Sequence, residues 1–306
     1  MRFFEKTNFD FIGARKKAYI FSGTLILISL ISLAFRGLQL GIDFTGGMEF
    51  IVETSEELGA NQVRQALGTA LEREPEVKIY GQDQLLIKAP PTGEITEVQA
   101  RIQQAIRQAF PGSNPTILQS NLVGPRFAAD LQQGAIYSII GAIIVILIYV
   151  WIRFQLRFGL GAIVALAHDT IITVGAFSLL HGIAPFSLTV DQTVIAALMT
   201  IVGFSINDTV VVFDRIREYM VLFKTEPLGE IINRSINTTL SRTIITTGTI
   251  LMVLIVLFIF GGEVLRPFSF ALLVGMTIGT YSSIFVASPI VLELGEHKRH
   301  KAAARR

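Results

Sequence analysis

The 306-residue sequence contains no cysteine, and only 16% of its residues are charged. The lack of cysteine excludes disulfides, thiolate catalysis and cysteine-ligated zinc. Soluble domains typically carry about 25% charged residues, so this low fraction, together with 51% hydrophobic residues, indicates an integral membrane protein. The sequence also lacks the His-Glu-x-x-His, Gly-x-Ser-x-Gly and Gly-Lys-Ser/Thr phosphate-loop motifs, so we expect no hydrolase or ATPase activity.

Six apolar stretches have the length of about 20 residues that a bilayer requires. They lie at residues 18–35, 134–152, 158–180, 188–213, 239–260 and 268–292. No Ala-x-Ala cleavage site follows the first stretch, so we interpret it as a retained anchor rather than a signal peptide. The sequence therefore predicts an α-helical polytopic membrane protein with six transmembrane helices.

Lysine and arginine are distributed unevenly between the connections. They cluster before the first stretch, between the second and third stretches, in a loop at 214–238 and in the tail. The first of these clusters includes Arg2 and Lys6, and the tail includes Arg305 and Arg306. The short connections 181–187 and 261–267 on the other side carry only Arg266. Because basic loops stay in the cytosol, we predict that both termini are cytosolic and that the large insert is external. The chain then divides into a cytosolic segment (1–17), a first transmembrane helix (18–36), an external domain with its return segment (37–133), five further helices (134–292) and a basic cytosolic tail (293–306).

The polar insert between the first and second stretches has the pattern of two α/β units. Alternating apolar residues predict strands at 49–53, 77–79, 85–87 and 116–123, and a period of 3.6 predicts helices at 60–73 and 94–110. A turn is predicted at 81–83. The order βαββαβ is that of a ferredoxin-like α+β fold. The insert contains no histidine, cysteine or glycine-rich phosphate loop, so we expect it to bind or move a partner rather than catalyse a reaction.

Asp208 lies in the fourth apolar stretch, within the segment 203–213. An ionisable side chain at that depth costs roughly 2.5–3.5 kcal/mol on insertion scales, and proteins that keep one usually use it to move ions or protons. Arg242 enters the fifth stretch from the same predicted end, so we predict that it pairs with Asp208 and that Asn207 and Thr246 complete a proton pathway. If access to water alternates, Asp208 could load a proton outside and release it inside. The alternatives are a packing hydrogen bond for Asp208 and a snorkelling interfacial side chain for Arg242.

His168 and Asp169 form a second polar step, in the third apolar stretch. Histidine can titrate near neutral pH, so the two residues are further candidates for the proton pathway. Adjacent helical residues point about 100° apart and need not act together. The alternative is a buried hydrogen-bonding pair that fixes the rotation of the helix. In the sixth stretch, the spacing of Gly275 and Gly279 predicts close helix packing.

Several segments together resemble the SecF family of protein-export membrane subunits, which is related to SecD and more distantly to the RND superfamily of proton-driven exporters. The resemblance covers nearly the whole chain. It rests on GIDFTGG at 41–47, VGP at 123–125, GFSINDTVVVFDRIRE at 203–218, SRT at 241–243 and GTYSSIF at 279–285. The family motifs include Asp43, Gly46, Gly47, Asp214 and Arg215. By the same resemblance, Asp208 and Arg242 take the positions of the proton pathway.

The resemblance implies an RND-like half in the bacterial cytoplasmic membrane, with the inserted domain in the periplasm. It implies SecD as the partner that supplies a second six-helix half, beside the SecY-SecE-SecG channel and YajC. The implied activity uses the proton-motive force to pull or hold preproteins after the ATP-driven motor SecA has acted. Independently of the resemblance, we expect no cofactor, metal or nucleic-acid partner. Two alternatives stay open, namely an RND-type exporter of small hydrophobic molecules and a scaffold that transports nothing.

Overall fold

A computed structural model describes residues 7–71, 75–80, 83–91 and 93–303 of the chain. The elements follow in the order α1 (Arg15–Arg36), α2 (Ile42–Thr45), β1 (Gly47–Glu53), α3 (Ala60–Ala70), β2 (Glu76–Ile79), β3 (Gln84–Ala89), α4 (Ile95–Ala109), β4 (Thr116–Val123), α5 (Pro125–Arg153), α6 (Leu156–Leu180), α7 (Gln192–Leu222), α8 (Leu228–Phe260), α9 (Gly262–Ser282), a π-helical turn (Ser283–Ala287) and α10 (Ser288–Ala303). Arg2, Lys6, Arg305, Arg306 and most of the predicted turn at 81–83 lie outside the described residues.

Among the described residues, six helices are long and apolar enough to cross a membrane. They are Arg15–Arg36, Pro125–Arg153, Leu156–Leu180, Gln192–Leu222, Leu228–Phe260 and Val264–Gly295, the last of which runs through α9, the π turn and α10. The predicted fold class, a six-helix membrane protein with an α+β domain, is therefore confirmed.

The basic loop predicted at 214–238 is mostly helical, so that prediction was wrong. α7 continues to Leu222 and α8 already begins at Leu228, which leaves a turn of five residues between them. The helices extend beyond the apolar stretches because each additional turn carries apolar residues on the face toward the bundle and charged residues on the opposite face. Ile216 and Ile232 are fully buried in the bundle, while Arg215 forms an ion pair with Glu218 at 2.9 Å on the outer face.

The inserted domain has the ferredoxin-like topology that the βαββαβ order predicts. Its four antiparallel strands lie in the order β2-β3-β1-β4. The two helices pack on one face of the sheet, where Phe50, Leu67, Ile87, Ile102 and Ile106 are buried almost completely. We call this unit, residues 37–124, the insert domain, and the end of the bundle nearest to it the insert side.

Gly47 begins β1 at a point where no larger residue fits. A Cβ atom added there would lie 2.8 Å from the Ile42 side chain and 2.9 Å from the Ala89 carbonyl oxygen, and its φ of 157° is unfavourable for other residues. The preceding Gly46 has a φ of 72°. The Gly46-Gly47 pair therefore lets the chain turn from α2 directly into the sheet.

The insert domain is attached to the loop that precedes α7. The amide of Gly41 donates to Val190 O and the amide of Val190 donates to Gln39 O, both at 2.8 Å. Asp43 accepts from the amide of Gln192, the first residue of α7, at 3.1 Å. The insert-side end of α7, the helix that carries Asp208, is therefore hydrogen-bonded to the first residues of the insert domain.

A second attachment involves Glu76 on β2. Its Oε1 accepts from Ser187 Oγ at 2.6 Å and Thr189 Oγ1 at 2.5 Å, and Lys78 Nζ lies 3.1 Å away. Burial alone would raise the pKa of Glu76, but the Lys78 ammonium and the two hydroxyl donors outweigh burial and lower this pKa to about 2. This carboxylate therefore stays ionised and joins the sheet of the insert domain to the loop of the bundle.

The sixth span packs closely against α7, as the glycine spacing predicts. A Cβ atom at Gly275 would lie 2.3 Å from Ile201 Cδ1, and one at Gly279 would lie 3.1 Å from Ser205 Cβ. Small residues at these positions let the two helix backbones approach. This close approach brings the polar residues of both helices within hydrogen-bonding distance.

Candidate functional site

Asp208 and Arg242 lie at the same depth in an antiparallel helix pair. Each is fourteen residues from the end of its helix at the short turn between α7 and α8. At 1.5 Å per residue this places both roughly 21 Å from that end. The similar depth was predicted from the sequence, and the turn of five residues makes the two helices neighbours.

The carboxylate of Asp208 is held by hydroxyl groups from two other elements. Thr243 Oγ1 on α8 donates to Oδ1 at 2.9 Å, and Ser283 Oγ in the π turn donates to Oδ2 at 2.6 Å. Asp208 is only 8% exposed, and both donors are buried. Three elements of the bundle therefore meet at one buried carboxylate, through charge-assisted hydrogen bonds.

Arg242 does not contact Asp208 directly in this structure. Successive helical residues are rotated by about 100°, so Thr243, which points inward to the carboxylate, leaves its neighbour Arg242 on the outer surface of α8, where it is exposed. The guanidinium still acts on Asp208 electrostatically. Within the described residues, the predicted pair is thus a through-space interaction, and a threonine makes the direct contact.

Asn207 and Thr246 share this outward orientation. Both are exposed, as is Arg242, and the structure does not bring either of them to the buried carboxylate. Hydrocarbon is a costly environment for an arginine or an amide. In a membrane, this polar surface of α7 and α8 therefore requires contact with water or with another protein.

His168 and Asp169 form a second buried site. Their side chains are in contact although they are adjacent in the chain, with His168 Nδ1 2.9 Å from Asp169 Oδ1. The other carboxylate oxygen, Asp169 Oδ2, accepts from Ser205 Oγ on α7 at 2.5 Å and from Ser282 Oγ on α9 at 2.8 Å. This carboxylate thus connects α6, α7 and α9.

Hydrogen bonds extend the second site to α1. His168 Nε2 is 3.1 Å from Ser22 Oγ, which is 3.1 Å from the hydroxyl of Tyr281. The Tyr281 hydroxyl donates in turn to Ala18 O at 3.0 Å. A continuous polar path therefore runs from Asp169 to α1 through the interior of the bundle.

The sequence analysis assigned no role to the hydroxyl residues that complete both sites, although all but Ser22 lie within the motif segments 203–218, 241–243 and 279–285. They are Ser22, Ser205, Thr243, Tyr281, Ser282 and Ser283. Serine and threonine are common in membrane helices, and only their position on the facing helix surface distinguishes these. The segment GTYSSIF was a usable signal, because it places three of them in succession within an apolar span.

The remaining motif residues lie at the two ends of the bundle. Asp43, Gly46 and Gly47 form the junction with the insert domain, as described above. At the opposite end, Asp214 accepts from Arg153 at 2.9 Å, and the guanidinium of Arg215 lies 5.5 Å from the ring centre of Tyr219. Asp43 and Asp214 bond α7 to neighbouring segments. In the described structure these motif residues do not reach the buried carboxylates.

The fold and the site define a polytopic membrane protein with two buried carboxylates and a ferredoxin-like domain at one end of its bundle. The sequence model for "Protein export membrane protein SecD/SecF, C-terminal" matches residues 102–297, and the model for the "SecD/SecF GG Motif" matches residues 31–57. The chain is 64% identical over 306 residues to protein translocase subunit SecF of Rhodothermus marinus, covering 100% of this chain and 98% of the relative. It is 37% identical over 295 residues to the SecF subunit of Escherichia coli O157:H7, and the match covers 95% of this chain and 90% of the relative. The chain belongs to the SecF family of protein translocase subunits.

Solved structures support the same relationship. The crystal structure of SecDF from Thermus thermophilus, a translocon-associated membrane protein, superposes with a TM-score of 0.83 at 34% identity and matches 96% of this chain. A SecDF structure in a super-membrane-facing form gives a TM-score of 0.70 at 31% identity and matches 98%. In both cases this chain spans 40% of the length of the SecDF chain.

Proposed function

We propose that this subunit acts with SecD to couple the proton-motive force to preprotein translocation through the SecY-SecE-SecG channel, after the ATP-driven step of SecA and with YajC as an accessory partner. The proposal assigns the proton pathway to Asp208, Arg242, Asn207 and Thr246, with His168 and Asp169 as a second buried site. The observation that supports it most is the carboxylate of Asp208, which is buried between three helical elements.

The hydrogen-bond partners of Asp208 explain how a proton would change the bundle. The ionised carboxylate only accepts hydrogen bonds, whereas the protonated acid donates one. Its partners, Thr243 and Ser283, belong to different elements, so gain or loss of a proton alters contacts between helices. Each charge that crosses the membrane potential supplies about 2.3 kcal/mol per 100 mV, which is comparable to one hydrogen bond to a charged group, about 1.5–3 kcal/mol.

SecD is the partner that fits the exposed polar surface. A covering group is needed at membrane depth for Asn207, Arg242 and Thr246, which are exposed. Helix α8 is one of the least enclosed spans, because only 17% of its most apolar 18-residue segment is buried. In the SecDF relative, the region that matches this chain is only 40% of a longer chain. In our proposal a SecD half with a matching polar surface covers these residues and encloses the pathway.

The proposed orientation follows the basic residues. Both termini and the short α7–α8 turn lie in the cytosol, and the insert domain, within the external segment 37–133, lies in the periplasm of a bacterial cytoplasmic membrane. Asp43 accepts a hydrogen bond from the first residue of α7, and Glu76 accepts from the loop before α7, so these two carboxylates would connect the periplasmic domain to the helix of Asp208. Through this connection a proton-driven movement of α7 would reach the emerging preprotein.

The test uses inverted membrane vesicles that contain this subunit and its SecD partner. Translocation of a preprotein is started with ATP, the ATP is removed, and a proton gradient is imposed with the lumen acidic. We expect the gradient to advance the stalled preprotein with the wild type but not with Asp208→Asn, which cannot exchange a proton. Asp130→Asn, at an exposed carboxylate near the start of α5, is the matched control and should behave as the wild type.

Two results would contradict the proposal. An equal response of Asp208→Asn and wild type would make Asp208 structural and would favour the scaffold alternative. A gradient-driven export of small hydrophobic molecules by vesicles that do not advance preproteins would favour the RND-type exporter.

A further inference from the structure

Ser282 and Ser283 are adjacent in the chain, but their hydroxyls reach two different buried carboxylates. Ser282 Oγ donates to Asp169 Oδ2 at 2.8 Å, and Ser283 Oγ donates to Asp208 Oδ2 at 2.6 Å. Both serines are completely buried. The carboxylates of α6 and α7 are therefore connected through two consecutive residues of the sixth span.

Each of these hydroxyls also has a second acceptor within its own helix. Ser282 Oγ lies 3.0 Å from Gly279 O, and Ser283 Oγ lies 2.9 Å from Thr280 O. A serine hydroxyl carries a single hydrogen, so at any moment it donates mainly to one of the two acceptors. An ionised carboxylate is the stronger acceptor. A protonated carboxyl can donate its own hydrogen to the serine oxygen, and the serine hydroxyl is then available to the backbone carbonyl.

The alternative acceptors lie where the helix changes its geometry. The carbonyls of residues 279 and 280 lie in the last turn of α9, four and three residues before the start of the π-helical turn Ser283–Ala287. Ser288 Oγ donates back to Ser283 O at 2.8 Å. Single π turns within α-helices are frequent at functional sites. Because the two carbonyls are consecutive in the backbone, a change of donor at one serine affects the segment on which the other depends.

We propose that Ser282 and Ser283 are positioning residues that couple the protonation of Asp169 to that of Asp208. The inference rests on the proposed role of Asp208 as a proton carrier. The titratable and charged groups that face the two carboxylates are His168 beside Asp169, Tyr281 beyond Ser22, and Arg242 at the surface near Asp208.

Infrared difference spectroscopy of the complex with SecD, reconstituted in membranes, tests the coupling without an export assay. The carboxyl band of Asp208 is assigned by its loss in Asp208→Asn and is followed as a function of pH. Ser282→Ala removes a donor from Asp169 only, and we expect it to shift the midpoint of the Asp208 band by about one pH unit, the interaction expected of coupled sites. Ser269→Ala is the matched control, because Ser269 is equally buried in α9 and donates to a backbone carbonyl, Leu265 O.

The outcomes separate this inference from the proposed function. If the Asp208 band titrates but Ser282→Ala leaves its midpoint unchanged, the serine coupling is overturned while the proton role of Asp208 stands. If the Asp208 band does not titrate at all, both fail. If Ser282→Ala does not assemble, the reciprocal measurement applies: Ser283→Ala should shift the Asp169 band, assigned with Asp169→Asn, and an unshifted band overturns the coupling.

Discussion

Glu76→Gln should loosen the attachment of the insert domain to the bundle. The substitution keeps the size of the side chain but removes the charge that accepts from Ser187 and Thr189 and faces Lys78. A fall in the pKa of Glu76 from 4.5 to about 2 corresponds to about 3 kcal/mol at neutral pH. Lys78, which is only 8% exposed, would keep a buried charge without its counter-ion, and removal of one partner of a buried pair typically costs about 3–5 kcal/mol.

The pH dependence gives the prediction a definite sign. The pKa of Glu76 is lower in the folded protein than in the unfolded chain, so its contribution is complete above about pH 4.5 and is lost as the pH falls toward 2. At pH 3 about 2 kcal/mol of the 3 kcal/mol should already be lost. The difference in stability of this attachment between wild type and Glu76→Gln should therefore decrease to about 1 kcal/mol at pH 3.

Hydrogen exchange at the amide of Val190 is the assay, because this amide donates to Gln39 O at the same junction. A loss of about 3 kcal/mol in the free energy of opening this junction corresponds to a roughly 100-fold faster exchange of the Val190 amide at pH 7, after correction for the intrinsic exchange rate. Glu49→Gln is the matched control, since its ion pair with Lys88 is longer, at 3.6 Å, and it should change exchange at Val190 little. Equal protection of the Val190 amide in Glu76→Gln and wild type at pH 7 would contradict this prediction. So would a ratio of the two exchange rates that is the same at pH 7 and pH 3.

Three further substitutions test the bundle. Thr243→Val leaves the buried carboxylate with one donor fewer and should lower stability by about 1–3 kcal/mol, measured by thermal unfolding in detergent, whereas Thr246→Val at an exposed position should have little effect. Gly275→Ala places a methyl group 2.3 Å from an isoleucine of α7 and should destabilise the bundle by about 1–3 kcal/mol; Gly203→Ala, with nothing within 4 Å, should be neutral or slightly stabilising. Arg242→Lys keeps the charge but loses the planar fork, so it should leave the stability of the isolated subunit unchanged and impair proton-driven export with SecD. Wild-type export by the lysine variant would show that only the position of the charge matters.

The sequence predicted the architecture well because hydropathy and periodicity are local properties. Six apolar stretches were recognised by length and composition alone, and the alternation of apolar residues in the insert predicted its strands, including Thr116–Val123 at the bounds observed. The loop predicted at 214–238 failed for the same local reason. A run of charges ends an apolar stretch, but it does not end a helix whose Ile216 and Ile232 still face the core.

For the site, the sequence by itself singled out Asp208, and with it His168 and Asp169, because an ionisable group within an apolar stretch is visible without any neighbour. Only the tertiary structure decided what surrounds it. Helix rotation, which depends on packing over the whole bundle, turns Thr243 rather than Arg242 toward the carboxylate. The close approach of the sixth span likewise selects Ser282 and Ser283 from many similar hydroxyls. Such contacts join residues from 35 to 113 positions apart, a separation over which a sequence pattern carries no distance information.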